Sequence, residues 1–220
     1  MGLSISRIAP GVITACLAIG SASAQTHTLY SNDFENGLGT AWTGNTSVAS
    51  DYRRYFTQFN GRYTNDRIDL NLTTAANPGA GKHNLYTLSF DLYIIDSWDG
   101  NSQTHGPDRF KVSIGNDVLL CETFSNQDNN QSFRRPDMGP FHMGYTSTWK
   151  DSVYRNITLQ FTAEDSARIA IRFAGENLQS KSDESWGLDN VKVRYEAVPA
   201  PGAAALLGMG GLLAARRRRS

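Results

Sequence analysis

From Asn84 to Ile95 apolar and polar side chains alternate with few interruptions. Tyr86, Leu88, Phe90, Leu92 and Ile94 fall on one side of an extended chain, and Thr87, Ser89, Asp91 and Tyr93 on the other. Successive side chains of a strand point to opposite faces, so this pattern puts one face into a core and leaves the other partly wet. The same period returns at Thr28 to Asp33, at Arg67 to Leu72 with Ile68, Leu70 and Leu72 on one face, and at Phe110, Val112 and Ile114. Gly115-Asn116-Asp117 then reads as a hairpin turn into Val118 to Phe124. Asn156 to Thr162, Arg168 to Ala174 and Trp186 to Tyr195 complete the set, and no window of ten or more residues sustains a helical stripe.

Polar stretches at 73–83, 96–108, 125–150 and 175–185 separate these strands. Loops longer than ~12 residues in a compact domain usually carry function. Short amphipathic strands joined by large loops predict an all-β fold, an antiparallel two-sheet β-sandwich of jelly-roll type. No fixed-period repeat points to a propeller or a β-helix.

Both ends of the 220-residue chain read as processing segments rather than fold. Residues 1–24 have a weakly basic start at Arg7, an apolar stretch from Ile8 to Ile19 and the small-x-small run Ala22-Ser23-Ala24. This is the pattern of a signal peptide cut between Ala24 and Gln25 by signal peptidase. The apolar run falls short of the ~20 residues a spanning helix needs. Residues 25–196 remain as one domain, large enough to bury roughly 70% of its unfolded surface without disulfide or metal. All 21 acidic residues lie in that body, against 16 of the 21 basic ones, so it carries five excess negative charges and argues against nucleic-acid binding. Once Cys16 leaves with the signal peptide, Cys121 has no partner and reads as a small buried hydrophobe on a strand.

Residues 197–220 form the other address. Val198-Pro199-Ala200-Pro201 breaks any arriving strand, 202–215 is an uncharged Ala, Leu and Gly segment, and Arg216 to Arg219 follow. Fourteen helical residues cover ~21 Å of a ~30 Å hydrocarbon core, and the arginines would hold the terminus on the cytoplasmic side. The three parts in this order resemble the PEP-CTERM sorting signal, with Ala200 where that family usually has Glu. The resemblance implies recognition by an exosortase-type membrane peptidase, cleavage near the motif and release of the body to the surface or its polysaccharide matrix. A simple membrane anchor is the alternative.

Asp96-Ser97-Trp98-Asp99-Gly100-Asn101 follows the long central strand, and Asp108 precedes the next. Three carboxylates and a carboxamide are hard oxygen ligands, the ingredients of a Ca²⁺ site, although Asx-turn chemistry accounts for the same residues. Asp33 and Glu35 end the first strand and Asp189 lies in the last, so these could meet at a second cation if first and last strands are neighbours. Ser31-Asn32-Asp33-Phe34-Glu35, Asp96 to Asn101 and Ser185-Trp186-Gly187-Leu188-Asp189-Asn190-Val191 resemble concanavalin A-like and related jelly-roll modules of bacterial surface proteins. That resemblance implies a β-sandwich and calcium ligation by Asp96, Asp99, Asp108 and Asp189, without naming a substrate.

Sugar recognition requires aromatic platforms beside groups that bond hydroxyls. Trp98, Tyr145 and Trp149 are the candidates, with Trp42, Tyr52 and Tyr55 also in or beside loops. A glycoside hydrolase or lyase of the concanavalin A-like fold is the rival reading. The fold's glucanases carry Glu-x-Asp-x-x-Glu on one strand, which is missing here, and Asp183-Glu184 with Asp189 is the nearest substitute. His27, His83, His105 and His142 lack zinc spacing. The sequence therefore predicts an exported, non-catalytic module that binds extracellular polysaccharide or builds the surface matrix, braced by Ca²⁺.

Overall fold

The alternating segments pair as strands. The computed structural model describes residues 25–50, 55–76, 83–128 and 130–196. Its strands are β1 (Thr26–Asn32), β2 (Trp42–Gly44), β3 (Val48–Ala49), β4 (Phe59–Tyr63), β5 (Arg67–Thr73), β6 (His83–Asp96), β7 (Arg109–Ile114), β8 (Asp117–Thr123), β9 (Met138–Phe141), β10 (Asp151–Glu164), β11 (Arg168–Glu176) and β12 (Glu184–Glu196). A seven-stranded sheet runs β3-β4-β12-β6-β10-β9, with β1 also on β12, and a five-stranded sheet runs β2-β5-β11-β7-β8. All pairings are antiparallel. First and last strands are neighbours, which was the condition for Asp33, Glu35 and Asp189 to meet.

The predicted core faces meet between the sheets. Leu88, Phe90, Leu92 and Ile94 of β6 are buried with Leu188, Val191 and Val193 of β12, facing Ile68, Leu70, Phe110, Val112, Ile171 and Phe173 of the smaller sheet. Phe90 meets Phe173 edge to face at 5.5 Å between ring centroids, and Phe110 meets Trp186 at 5.0 Å. Such aromatic pairs add about 0.5–1.5 kcal/mol beyond their area burial. Gly175 lets β11 lie close to this cluster: a Cβ there would come within 2.2 Å of the Thr64 carbonyl and 2.7 Å of the Trp186 indole nitrogen.

Four expectations need correction. The other face of β6 is partly wet at Thr87, Ser89 and Asp91 but not at its far end, where Tyr93 and Ile95 are buried in a second apolar cluster with Phe56, Phe59, Met143 and Val153. Phe56 stacks on Tyr93 at 4.5 Å, so loop segments roof the outside of the larger sheet. Strand β10 begins at Asp151, five residues before the alternation at Asn156, since a bulge between Tyr154 and Ile157 and a left-handed Asn156 (φ 51°) reset the period. Strands β2, β3, β4 and β9 lie in stretches the alternation did not mark, and β4 is buried on both faces, which erases the pattern. Cys121 is exposed: it stands opposite outward-facing Lys111, while its neighbour Leu120 pairs with inward-facing Val112.

The expected signal peptide, sorting motif Val198 to Pro201, apolar helix and arginine cluster lie outside the described residues, as does Tyr52. Among the described residues no helix is long and apolar enough to cross a membrane.

Candidate functional site

Strand pairing decides which loops converge. Glu184, at the start of β12, stands opposite Asp96 at the end of β6, and the chain leaving β6 returns as β7 just after Asp108. The 97–108 and 177–183 segments therefore meet at one end of the sandwich. The chain beyond β8 joins them through a bridge between Asp99 and Ser125, and Asn126 donates to the Ile94 and Asp96 carbonyls. Gly100, at φ +61°, packs so closely that a Cβ would sit 2.2 Å from the Asn130 carbonyl.

Carboxylates cluster here in two different ways. Asp96 and Asp151 are buried and supplied with donors. Asp96 pairs with Arg62 Nη2 at 2.8 Å and accepts the Thr146 hydroxyl at 2.9 Å. Burial nevertheless pushes its carboxyl up to about 6. Asp151 accepts three backbone N–H groups, from Asp96, Met143 and Gly144, at 2.8–3.0 Å.

The second group has no such supply. Ligand oxygens of Asp99, Asp108 and Glu184 all lie within 4.8 Å of one another. Asp108 and Glu184 are 0% exposed, and none of the three forms an ion pair among the described residues. One Asp108 oxygen accepts the Asp99 N–H and one Glu184 oxygen accepts the Gln179 N–H at 2.6 Å. Asp108 Oδ1 and Glu184 Oε1 have no hydrogen-bond partner among the described residues. Burial raises all three carboxyls above the ordinary range; the charge of Asp99 raises Asp108 further, and the charges of Asp108 and Asp99 raise Glu184. This set of oxygens can hold a hard cation.

Beside Asp99 opens a cleft of about 470 Å³ lined by Ser97, Asp99, His105, Gln127, Trp149, Gln179 and Asp183. Trp149 is 37% exposed. Its backbone N–H donates to the Thr146 hydroxyl, which donates to Asp96, which pairs with Arg62, so the buried ion pair fixes the segment that carries the indole. An aromatic face beside a hydroxyl, two amides, two carboxylates and an imidazole is the equipment for gripping a sugar ring.

The expected site residues divide accordingly. Asp99, Asp108 and Trp149 come together at this end of the sandwich. Asp96 does not join the converging carboxylates, because Arg62 and Thr146 occupy it, and Glu184 takes the third place. Asn101 ties loops, accepting from the Thr123 hydroxyl at 2.7 Å and bonding Asn130. Trp98 is 0% exposed, donates to the Ser185 carbonyl and packs on Phe124, so it cannot meet a ligand. Tyr145 is half-buried beneath the Arg62 guanidinium at 3.9 Å and bonds the Ser50 carbonyl. Asp189 bonds Tyr93, Asp33 caps the Glu35 N–H, Glu35 accepts the Gln58 N–H, and among the described residues these three do not form a group whose ligand atoms converge. Arg62, Thr146, Gln179 and the place of Glu184 beside Asp99 and Asp108 were missed. Their roles follow from pairing between segments more than 30 residues apart, which carries no local signal.

No family model matches the chain and no curated protein matches it. Solved structures do. The xylan-binding CBM22-1 domain of Paenibacillus barcinonensis Xyn10C is 16% identical over 80% of this chain and 99% of that one, with a TM-score of 0.41. A family 35 carbohydrate binding module from Clostridium thermocellum is 14% identical over 78% and 98%, at 0.30. The K3 cleaved adhesin domain of Lys-gingipain from Porphyromonas gingivalis is 13% identical over 77% and 99%, at 0.33.

Proposed function

We propose that this chain is an exported, non-catalytic jelly-roll module that binds polysaccharide of the cell surface or its matrix through the Trp149 cleft. The observation that carries the reading is the exposed indole standing beside Ser97, Asp99, His105, Gln127, Gln179 and Asp183 in one open cleft. Sugars present an apolar ring face for stacking and hydroxyls for amides and carboxylates, and this cleft offers both. Calcium at the loop end belongs to the same reading, as a brace for the segments that form the cleft. A panel of neutral and acidic polysaccharides, xylan among them, is the test. Binding by the wild type that disappears in Trp149→Ala supports the cleft; binding unaffected by Trp149→Ala removes it.

The hydrolase alternative has the weaker geometry. Glu184 and Asp189 are five residues apart on one strand, about 16 Å at ~3.3 Å per residue, well beyond the ~5–9.5 Å that paired glycosidase carboxylates need. Asp108 and Glu184 do approach each other, but both are fully buried.

Export is proposed from the termini. Residues 1–24 serve as a signal peptide for the export machinery. Residues 197–220 serve as a PEP-CTERM-like tail for an exosortase-type peptidase, with transient or lasting membrane attachment. Mature protein in the surface or matrix fraction, beginning at Gln25, is the expected result; an intact Met1 terminus in the cytosol would overturn it.

A further inference from the structure

The body meets its buried charges in a consistent way, with one exception. Asp96 has a guanidinium and a hydroxyl, Asp151 three backbone N–H groups, and Asp189 the Tyr93 hydroxyl and the Asn190 N–H. Among the described residues, only at Asp99, Asp108 and Glu184 do three carboxylates converge with two fully buried oxygens, Asp108 Oδ1 and Glu184 Oε1, left without a donor. A buried, unpaired carboxylate is among the most expensive groups a fold can hold, and adjacent like charges add to the cost. The remaining partner is a positive charge that is not a side chain.

We propose that Asp99, Asp108 and Glu184 bind one Ca²⁺, and that its occupancy sets the shape of the Trp149 cleft. The donors are all oxygen, which disfavours zinc and favours a hard cation. Ligands at ~2.3–2.6 Å from a common ion lie up to ~5 Å apart, and the 4.8 Å limit on these atoms fits that span. Calcium also tolerates an irregular shell completed by backbone carbonyls and water, whereas Mg²⁺ demands a near-ideal octahedron.

The ligands come from three places in the chain: Asp99 from the segment after β6, Asp108 from the approach to β7, and Glu184 from the start of β12. Two are tied directly to the cleft. Asp99 lines it, and Glu184 accepts the N–H of Gln179, which lines it too and donates through its side chain to the His105 carbonyl. Without the ion, repulsion among three carboxylates pushes these segments apart. With it they are drawn to one point, and Asp99, His105 and Gln179 take fixed positions opposite Trp149. The inference rests on the glycan reading only in giving this change of shape a use.

The test adds Ca²⁺ or Mg²⁺ to chelator-treated chain, wild type and Glu184→Gln. Gln keeps an oxygen for the Gln179 N–H and removes one negative charge, so the variant without calcium should melt no lower than the wild type. Wild type should melt about 5–10 °C higher at a calcium concentration a hundred times its dissociation constant, with a smaller rise in Mg²⁺. Glu184→Gln should lose most of the calcium effect. The indole N–H resonance of Trp149, assigned by its loss in Trp149→Ala, should move with the same calcium midpoint as the melt. Flat calorimetric titrations and unchanged melts in millimolar Ca²⁺ overturn the site and leave a proton shared by Asp108 and Glu184 in its place. An equal rise with Mg²⁺ overturns the assignment to calcium, and an unmoved Trp149 resonance in the loaded protein overturns the link to the cleft. Failure of the glycan reading looks different: calcium binds, Trp149 responds, and no polysaccharide is retained.

Discussion

Replacing Asp189 by Asn should stabilise the protein at neutral pH and flatten its stability against pH. Asp189 is 3% exposed, accepts the Tyr93 hydroxyl at 2.7 Å and accepts the Asn190 N–H at 2.6 Å. Burial outweighs these bonds and pushes its carboxyl from the ordinary 3.8 up to about 6. Because the folded state holds the proton more tightly than the unfolded chain, this group's contribution is full below pH ~4 and is lost as pH rises from ~4 to ~6. A gap of about two pH units corresponds to about 3 kcal/mol. An amide in this place keeps its oxygen for one donor and turns its NH₂ toward the Tyr93 oxygen, which can accept. Relaxation around the new side chain brings the expected gain at pH 7.5 to about 1–2 kcal/mol. Urea unfolding in chelator at pH 4 and pH 7.5, wild type against Asp189→Asn, reads the difference directly. The variant should gain on the wild type between those pH values. A constant difference, or a variant that loses ground as pH rises, would refute the assignment of the slope to Asp189.

Arg62→Ala should destabilise by about 3 kcal/mol, since it leaves the fully buried Asp96 without its cation, and the loss should be visible in chemical denaturation. Gly175→Ala should cost about 1–3 kcal/mol, because the new methyl meets the Thr64 backbone carbonyl rather than a side chain that can turn away, and a lowered melting midpoint checks it. Trp149→Ala should leave stability within about 0.5 kcal/mol while removing polysaccharide binding.

The sheets were legible wherever one strand face meets the core and the other meets water. Arg67–Thr73 and Arg168–Glu176 show this, with Ile68, Leu70, Ile171 and Phe173 buried on one side. Legibility failed where both faces are covered, as at Phe59–Tyr63, and where the Asn156 bulge reset the period. The acidic loop was legible as composition, not as geometry. Asp99 and Asp108 could be named because they crowd one short segment, but Asp96 was grouped with them when Arg62, 34 residues away, neutralises it. Glu184 was read with Asp183 and Asp189 only as the nearest substitute for a glucanase motif, and its pairing opposite Asp96 is what brings it beneath the loop. Trp98 and Trp149 look alike in the sequence. The first is drawn inward by the Ser185 carbonyl, and the second is left at the rim.

The central claim is that the loop end of the sandwich, not either sheet face, is where polysaccharide docks. Amide and indole NMR shifts recorded while titrating the polysaccharide that binds most tightly test it most directly. The account predicts that the largest shifts fall on Trp149, Ser97, His105, Gln127 and Gln179. Shifts centred instead on the outer face of the larger sheet, around Tyr55 and Arg155, would contradict it.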